Sequence, residues 1–417
     1  MTIAATQRVA GQYGGTHVFQ PHFSFPLPPS PFPNMLPFDL QLPTRIIFGA
    51  GKLSELGAAA AGLNGKRVLV VSDPGIVAAG HTPRGIASLE AAGLTVALFD
   101  GVEENPSTRH VDAGLAVAQD FRPDLIIGLG GGSSMDCAKG INFLYSCGGR
   151  MQDYWGQGQA TGPLLPMIAV PTTAGTGSET QSYALIADAE TKVKMACGDK
   201  RAAFRVAILD PELTLTQPPR VTALTGFDAL SHAVETYVSK RRTAISLAFS
   251  REAWRHLAPN FGRVLAEPAD LEARAEMQLG ACLAGLAIEN SMLGAAHALA
   301  NPLTAEYGIV HAEAVALMLP HVIRHNGRDV GPWYRELLEC SANSNVLADA
   351  DDSAEVLAML VSQLARQAGL ADTLLKVGVS AQRLPALADA ATQQWTGTFN
   401  PVDMTRDDFQ RLYEAAL

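Results

Sequence analysis

Between Arg67 and Val170 the chain carries short, nearly all-apolar runs at wide intervals. They are Arg67-Val68-Leu69-Val70-Val71, Thr95-Val96-Ala97-Leu98-Phe99, Leu125-Ile126-Ile127-Gly128-Leu129 and Met167-Ile168-Ala169-Val170, the last stopped by Pro171. Ala-rich segments that read as helices separate them. Strands alternating with helices predict a mostly parallel, doubly wound sheet. After Pro218-Pro219 the character changes: segments 220–240, 246–264, 271–299 and 353–368 have helical spacing and are rich in Ala, Leu, Glu and Arg. The expected fold class is therefore α/β plus all-α. A doubly wound N-terminal domain over residues 38–216 is followed by an all-helical domain over 217–417. Residues 1–37 stand apart, because the run from Pro21 to Pro37 is dense in proline, which removes backbone donors and favours extended chain. This extension reads as a tail or a surface strap. A length of 417 residues exceeds one ordinary core and fits two domains.

Composition narrows the function classes. Forty-one acids against 31 bases give a net charge of -10, a poor match to the basic patches that sequence-independent nucleic-acid binding uses. An apolar content of 47% argues against wholesale disorder. The five cysteines, Cys137, Cys147, Cys197, Cys282 and Cys340, are scattered, odd in number and lack a C-x-x-C pair. Small reduced thiols in a cytoplasm fit them better than a disulfide framework or a zinc knot. No apolar stretch near the N-terminus reaches membrane-spanning length or resembles a secretion signal, so neither a membrane nor export is expected.

Within the α/β half, Leu129-Gly130-Gly131-Gly132-Ser133-Ser134-Met135-Asp136 takes a strand into glycines and then a helix. Glycines admit a ligand close to the backbone, and a helix N-terminus offers free N–H groups and a positive dipole. A pyrophosphate suits that place, although the spacing is not G-x-G-x-x-G and a plain tight turn would also use these glycines. Asp73 follows the strand that ends at Val71, where a carboxylate can accept from ribose hydroxyls or, alternatively, cap a helix. The segment Pro171-Thr172-Thr173-Ala174-Gly175-Thr176-Gly177-Ser178-Glu179 adds hydroxyl and amide donors at another strand end.

The helical half carries candidate metal ligands. Asp228 and His232 are four apart, so on a helix they share a face, as metal ligands or as an ordinary ion pair. His297 ends an apolar helical stretch, Pro302 and Gly308 then break the chain, and His311 opens another helix. Histidines in such Ala-rich surroundings are costly without a partner. One carboxylate and three imidazoles would complete a first coordination shell for iron(II) or zinc and leave room for a substrate oxygen.

Taken in order, the glycine-serine loop, the Pro171–Glu179 segment, the Asp228/His232 pair and the His297/His311 pair resemble the iron-containing (group III) alcohol dehydrogenases. The opening Leu42-Pro43-Thr44-Arg45-Ile46-Ile47-Phe48-Gly49-Ala50-Gly51 is similar to that family's first strand and turn. The resemblance runs from about Phe38 to the C-terminus. It implies a dinucleotide-binding α/β domain, a helical metal-binding domain and a cleft between them. It also implies reversible hydride transfer between NAD and a small primary or secondary alcohol, or its aldehyde or ketone. By position, Asp228, His232, His297 and His311 would hold a divalent metal, iron(II) first and zinc second. Asp73, Asn105, Gly131, Gly132, Ser133, Asp136, Thr172, Thr173 and Lys194 would meet the NAD. No catalytic residue beyond the metal ligands is implied, and a homodimer or higher homo-oligomer is expected. A polyol dehydrogenase, or a lyase like dehydroquinate synthase, is the alternative. The chain departs from the family at Asn301, where a second histidine is frequent, and at Ala312, where glycine is usual. Without that histidine, the proton is expected to leave through water or the nicotinamide ribose hydroxyl. Asp153, Tyr154, Trp155, Phe227 and His321 are the candidates for the substrate pocket, and Asn301 is expected to cap a helix end, to line the cleft, or both.

Overall fold

The computed structural model describes residues 38–40, 42–341 and 352–417. The proline-dense extension, residues 1–37, lies outside the described residues. Among the described residues nine strands form two sheets. The main sheet holds β1 (Arg45–Phe48), β2 (Arg67–Val71), β3 (Thr95–Phe99), β4 (Leu125–Gly130), β6 (Met167–Pro171) and β9 (Val206–Leu209). All its pairs are parallel, in the order β1-β9-β6-β4-β2-β3. A smaller three-stranded sheet, unforeseen from the sequence, joins β5 (Gly156–Gln157), β8 (Lys194–Gly198) and β7 (Tyr183–Ala187), with β7 and β8 antiparallel.

The helices of the first half are α1 (Leu56–Gly62), α2 (Pro74–Ala78), α3 (His81–Ala91), α4 (Thr108–Phe121) and α5 (Gly132–Cys147). They cover both faces of the sheet, which is why β4 and β6 are buried at every residue and read as unbroken apolar runs. Alternate residues serve alternate faces: Leu69 and Val71 join one core with Ile141 and Phe143, while Val68 and Val70 join another with Leu53 and Leu56.

Past the last strand the chain is helical: α6 (Pro219–Val238), α7 (Ala244–Ala266), α8 (Leu271–Glu289), α9 (Ala295–Tyr307), α10 (His311–Glu339), α11 (Ser353–Gln367), α12 (Leu384–Thr392) and α13 (Arg406–Ala415). The sequence predicts one helix over 271–299. Instead α8 ends at Glu289 and α9 starts after Gly294, so His297 stands in the first turn of a new helix. Pro302, expected to break the chain, lies inside α9, which runs on to Gly308 in a left-handed conformation with φ 67°. A proline inside a helix costs one backbone bond, and the surrounding packing holds the helix regardless: Leu299, Ala300 and Leu303 are all fully buried. Sheet and helical halves belong to one compact unit. They meet closely at Gly177 and Gly285, where a Cβ on Gly177 would lie 2.6 Å from the Gly285 Cα. Among the described residues no helix is long and apolar enough to cross a membrane.

Candidate functional site

A cleft of about 770 Å³ opens where the carboxyl ends of the parallel strands face the helical half. Strand β2 pairs with β3 on one side and β4 on the other, so the direction of winding changes at β2 and leaves a crevice beside it. Asp73 follows β2, Gly131 to Ser133 follow β4, and Thr172 and Thr173 follow β6; all line the cleft. Helix α5 begins directly after Gly131 with no side-chain cap, so the N–H groups of its first turn stay open to a ligand. A side chain on Gly132 would put its Cβ 2.7 Å from the Thr176 side chain, so only glycine lets these two segments close around a ligand. Thr172 Oγ1 is buried there without a hydrogen-bond partner.

The other expected cofactor residues reach the same cleft in different ways. Asp73 caps α2, accepting from Ile76 N at 3.0 Å, and also accepts from Ser134 Oγ at 3.3 Å. The cap is thus formed, and the residue also lines the cleft. Asn105 lines the cleft from a left-handed turn with φ 54°, a conformation asparagine tolerates well. Lys194 enters from the start of β8. Asp136 borders the cleft, but its oxygens are held elsewhere: Ser178 Oγ donates at 2.5 Å and Leu185 N at 3.2 Å, with Lys139 Nζ 3.7 Å away.

The four expected metal ligands line the helical side of this cleft. Asp228 and His232 sit one turn apart on α6, His297 on α9 and His311 at the start of α10. One ligand atom from each of Asp228, His297 and His311 falls within 4.8 Å of the others. His232 lies outside that tightest group but adjoins it, with Nε2 3.5 Å from Asp228 Oδ1 and its ring stacked on His297 at 5.1 Å. Asp228 Oδ1, His297 Nε2 and His311 Nδ1 are buried and lack hydrogen-bond partners, a costly state that a divalent ion among them would relieve. Burial alone would raise the Asp228 carboxyl, but the surrounding imidazoles outweigh it and hold the group ionised well below the usual range. Burial lowers His232, and burial with Lys194 lowers His311 to about 3, so both imidazoles are neutral and free to donate to a metal at neutral pH. His297 behaves oppositely: against burial, Glu235 raises it to about 9.

Glu235 went unnoticed in the sequence. It stands seven residues after Asp228, two turns along the same face of α6, and that spacing was the available signal. Glu235 Oε2 lies 2.5 Å from His297 Nδ1, and Oε1 accepts from Ala296 N at 2.7 Å. One carboxylate thus fixes the His297 ring and tethers the first turn of α9, leaving Nε2 toward Asp228 at 3.8 Å. Asn400 Oδ1 holds the adjacent Ala295 N at 3.3 Å.

The suggested substrate-pocket residues are not at the cleft. Phe227 is buried edge-on against Phe261, Tyr154 packs on Phe143, and Asp153 and Trp155 face solvent. His321 also lies off its walls, whose apolar members from the helical half include Ile288, Leu293 and Val310. Asn301 neither lines the cleft nor caps a helix end; it is inside α9 and donates to Gln394 Oε1 at 2.9 Å.

Residues 43–211 match the family "Iron-containing alcohol dehydrogenase", and residues 222–417 match "Fe-containing alcohol dehydrogenase family, C-terminal". The chain is 35% identical to 1,3-propanediol dehydrogenase of Klebsiella pneumoniae, over 91% of this chain and 98% of the relative. It is also 35% identical to alcohol dehydrogenase 4 of Schizosaccharomyces pombe, over 90% and 88% of the two chains. Among solved structures, a 1,3-propanediol oxidoreductase superposes with a TM-score of 0.88 at 34% identity, covering 92% of this chain and 100% of the other. An alcohol dehydrogenase from Oenococcus oeni superposes with a TM-score of 0.87 at 30% identity, covering 91% and 100%.

Proposed function

The chain belongs to the iron-containing alcohol dehydrogenase family, and from that premise we propose how its cleft carries out NAD- and metal-dependent alcohol oxidation. The observation that carries the reading is the set of orphaned, buried ligand atoms of Asp228, His297 and His311, with His232 beside them, on the wall of the same cleft as the glycine loop. Asp228, His232, His297 and His311 hold the metal, iron(II) by preference and zinc as the alternative. Gly131, Gly132, Ser133 and the open first turn of α5 hold the pyrophosphate of NAD. Asp73 faces the adenosine ribose, where its charge disfavours a 2′-phosphate. Asn105, Thr172, Thr173 and Lys194 complete the cofactor's surroundings, and Asp136 acts from behind by fixing Ser178 and β7.

When bound, the metal supplies Lewis-acid polarisation of an alcohol or carbonyl oxygen, and the nicotinamide supplies the hydride chemistry. The protein's part is orientation and the exclusion of water. Ile288, Leu293 and Val310 give the cleft apolar walls from the helical half. Glu235 keeps the His297 ring turned so that only Nε2 faces the cleft. With Asn301 turned toward Gln394, α9 offers no imidazole at that position to hold or move a proton. The substrate is a small primary or secondary alcohol, or its aldehyde or ketone. The propanediol dehydrogenases among the relatives favour a short diol within that class.

A homodimer fits an open sheet edge: among the described residues β1 pairs only with β9, and Phe38, Leu40, Leu42 and Phe48 are exposed on or beside it. All five cysteines are free, in keeping with a reducing cytoplasm. The test is His297→Ala. It should lose bound metal and NADH production together while still binding NADH, because the two sites use different residues. A variant that keeps its metal and its activity would reject the assignment.

A further inference from the structure

The outward face of the small sheet continues the wall of the cleft. Along β7, Ala184 and Ile186 point into the core of the sheet half, so Tyr183 and Leu185 share the opposite face. Leu185 lines the cleft, as does Lys194 at the start of β8. Tyr183 stands two residues from Leu185, about 7 Å along the strand, and pairs in register with Gly198 of β8. A Cβ on Gly198 would lie 2.3 Å from the Tyr183 ring, so glycine there lets the ring lie flat on the sheet. Ser182, the residue before, donates from its N and Oγ to Glu289, whose neighbour Ile288 lines the cleft from the helical half.

A short 3-10 turn, Trp395–Phe399, meets this face. It is pinned beside a candidate metal ligand: Asn400 Oδ1, at its end, accepts from Ala295 N at 3.3 Å, and a Cβ on Gly397 would lie 3.3 Å from that of Ala298, the residue after His297. The Trp395 ring lies 5.8 Å from the Tyr183 ring, tilted by 31°. Phe399 stands edge-on to Trp395 at 5.8 Å, with the Arg241 guanidinium 5.6 Å from its centre. Trp395 is still 40% exposed. Single exposed apolar side chains are ordinary. Here three rings in contact span from a cleft strand to the helix that carries His297, and together they make an apolar platform. We propose that Tyr183 and Trp395 are specificity-determining residues that receive the carbon tail of the alcohol, and that the class they select is a primary alcohol bearing an aromatic ring. A planar apolar tail can pack on both rings, whereas a three-carbon diol covers little of them. The inference rests on the proposed alcohol oxidation and names its substrate class.

The probes are benzyl alcohol and 1,3-propanediol, assayed with the metal-loaded full chain; benzyl alcohol and NAD give benzaldehyde, NADH and a proton. Benzyl alcohol should have the higher kcat/KM. Trp395→Ala and Tyr183→Ala should each lower the ratio of the two kcat/KM values by about tenfold, through the KM of benzyl alcohol rather than its kcat. Trp395→Phe and Tyr183→Phe keep a ring and should restore most of the ratio, which a merely structural role would not do. A crystal of the full chain soaked in benzyl alcohol and NAD should show the ligand ring against Tyr183 and Trp395, a readout that needs no turnover. Preference for the diol, a ratio unchanged in folded alanine variants, or a ring bound elsewhere would overturn the inference and leave alcohol oxidation standing. Turnover of neither alcohol would count against the catalytic reading, and the soaked crystal then decides whether the platform takes the ring.

Discussion

Glu235 shows how much one carboxylate can set. It accepts from Ala296 N with one oxygen and lies against His297 Nδ1 with the other, so a single side chain positions both a ligand and the helix that carries it. Glu235→Gln keeps the size but leaves one acceptor where two are needed, so one of those bonds is lost. Metal affinity, read by competition with a chelator, should fall by about 10–100-fold, the range typical of such outer partners. Unchanged affinity would mean that the His297 ring is held by packing alone. The clustering of the four candidate ligands was legible in the sequence because their chemistry is expensive: an Asp–His pair at helical spacing and two histidines in Ala-rich surroundings invite a partner. Glu235 was not, because an acid on a helix usually faces water, and only the fold shows this one buried. The suggested pocket residues failed for a related reason: aromatic side chains read from sequence fill the core as readily as a cleft, and Phe227 and Tyr154 do so.

At the scale of elements, the parallel strands could be read directly because both faces of the sheet are covered, which leaves continuous apolar runs in the sequence. The break between α8 and α9 was hidden, since residues 271–299 keep an apolar, Ala-rich composition through the bend at Asn290–Gly294. Proline misled in the other direction, because Pro302 sits within α9 under tight packing. These shifts change the reading of Asn301, which points to Gln394 rather than into the cleft. Asn301→Ala should therefore leave the pH–rate profile for alcohol oxidation superimposable on that of the parent. It should cost roughly 1 kcal/mol of stability from the lost hydrogen bond. A displaced inflection in that profile would place residue 301 in proton movement after all.

Across the whole molecule, the halves are joined through a buried polar layer beside the Gly177–Gly285 contact. Lys139 is fully buried and donates to Ser178 O and Tyr183 O, and Glu179 is 3% exposed close by. Burial raises the Glu179 carboxyl from 4.5 to about 7, against the pull of Lys139. Its folded pKa thus lies above the unfolded one, and the native state holds the extra proton between those values. Stability from this group is complete below pH 4.5 and declines as pH rises to 7, by about 3 kcal/mol. Urea unfolding at pH 5 and pH 8 should show a smaller pH-dependent loss in Glu179→Gln than in the parent; parallel losses would contradict the shift. The central claim, that a metal held by Asp228, His232, His297 and His311 and an NAD on the glycine loop work in one cleft, has a more direct test. The protein is stripped with a chelator, reloaded with iron(II) or zinc, and assayed for NADH formation from NAD and a short diol or primary alcohol, with bound metal measured in the same samples. NADH formation should be absent from the stripped protein and return in proportion to bound metal, and Asp228→Ala should neither retain metal nor recover. Full turnover by protein shown to be metal-free would contradict the account.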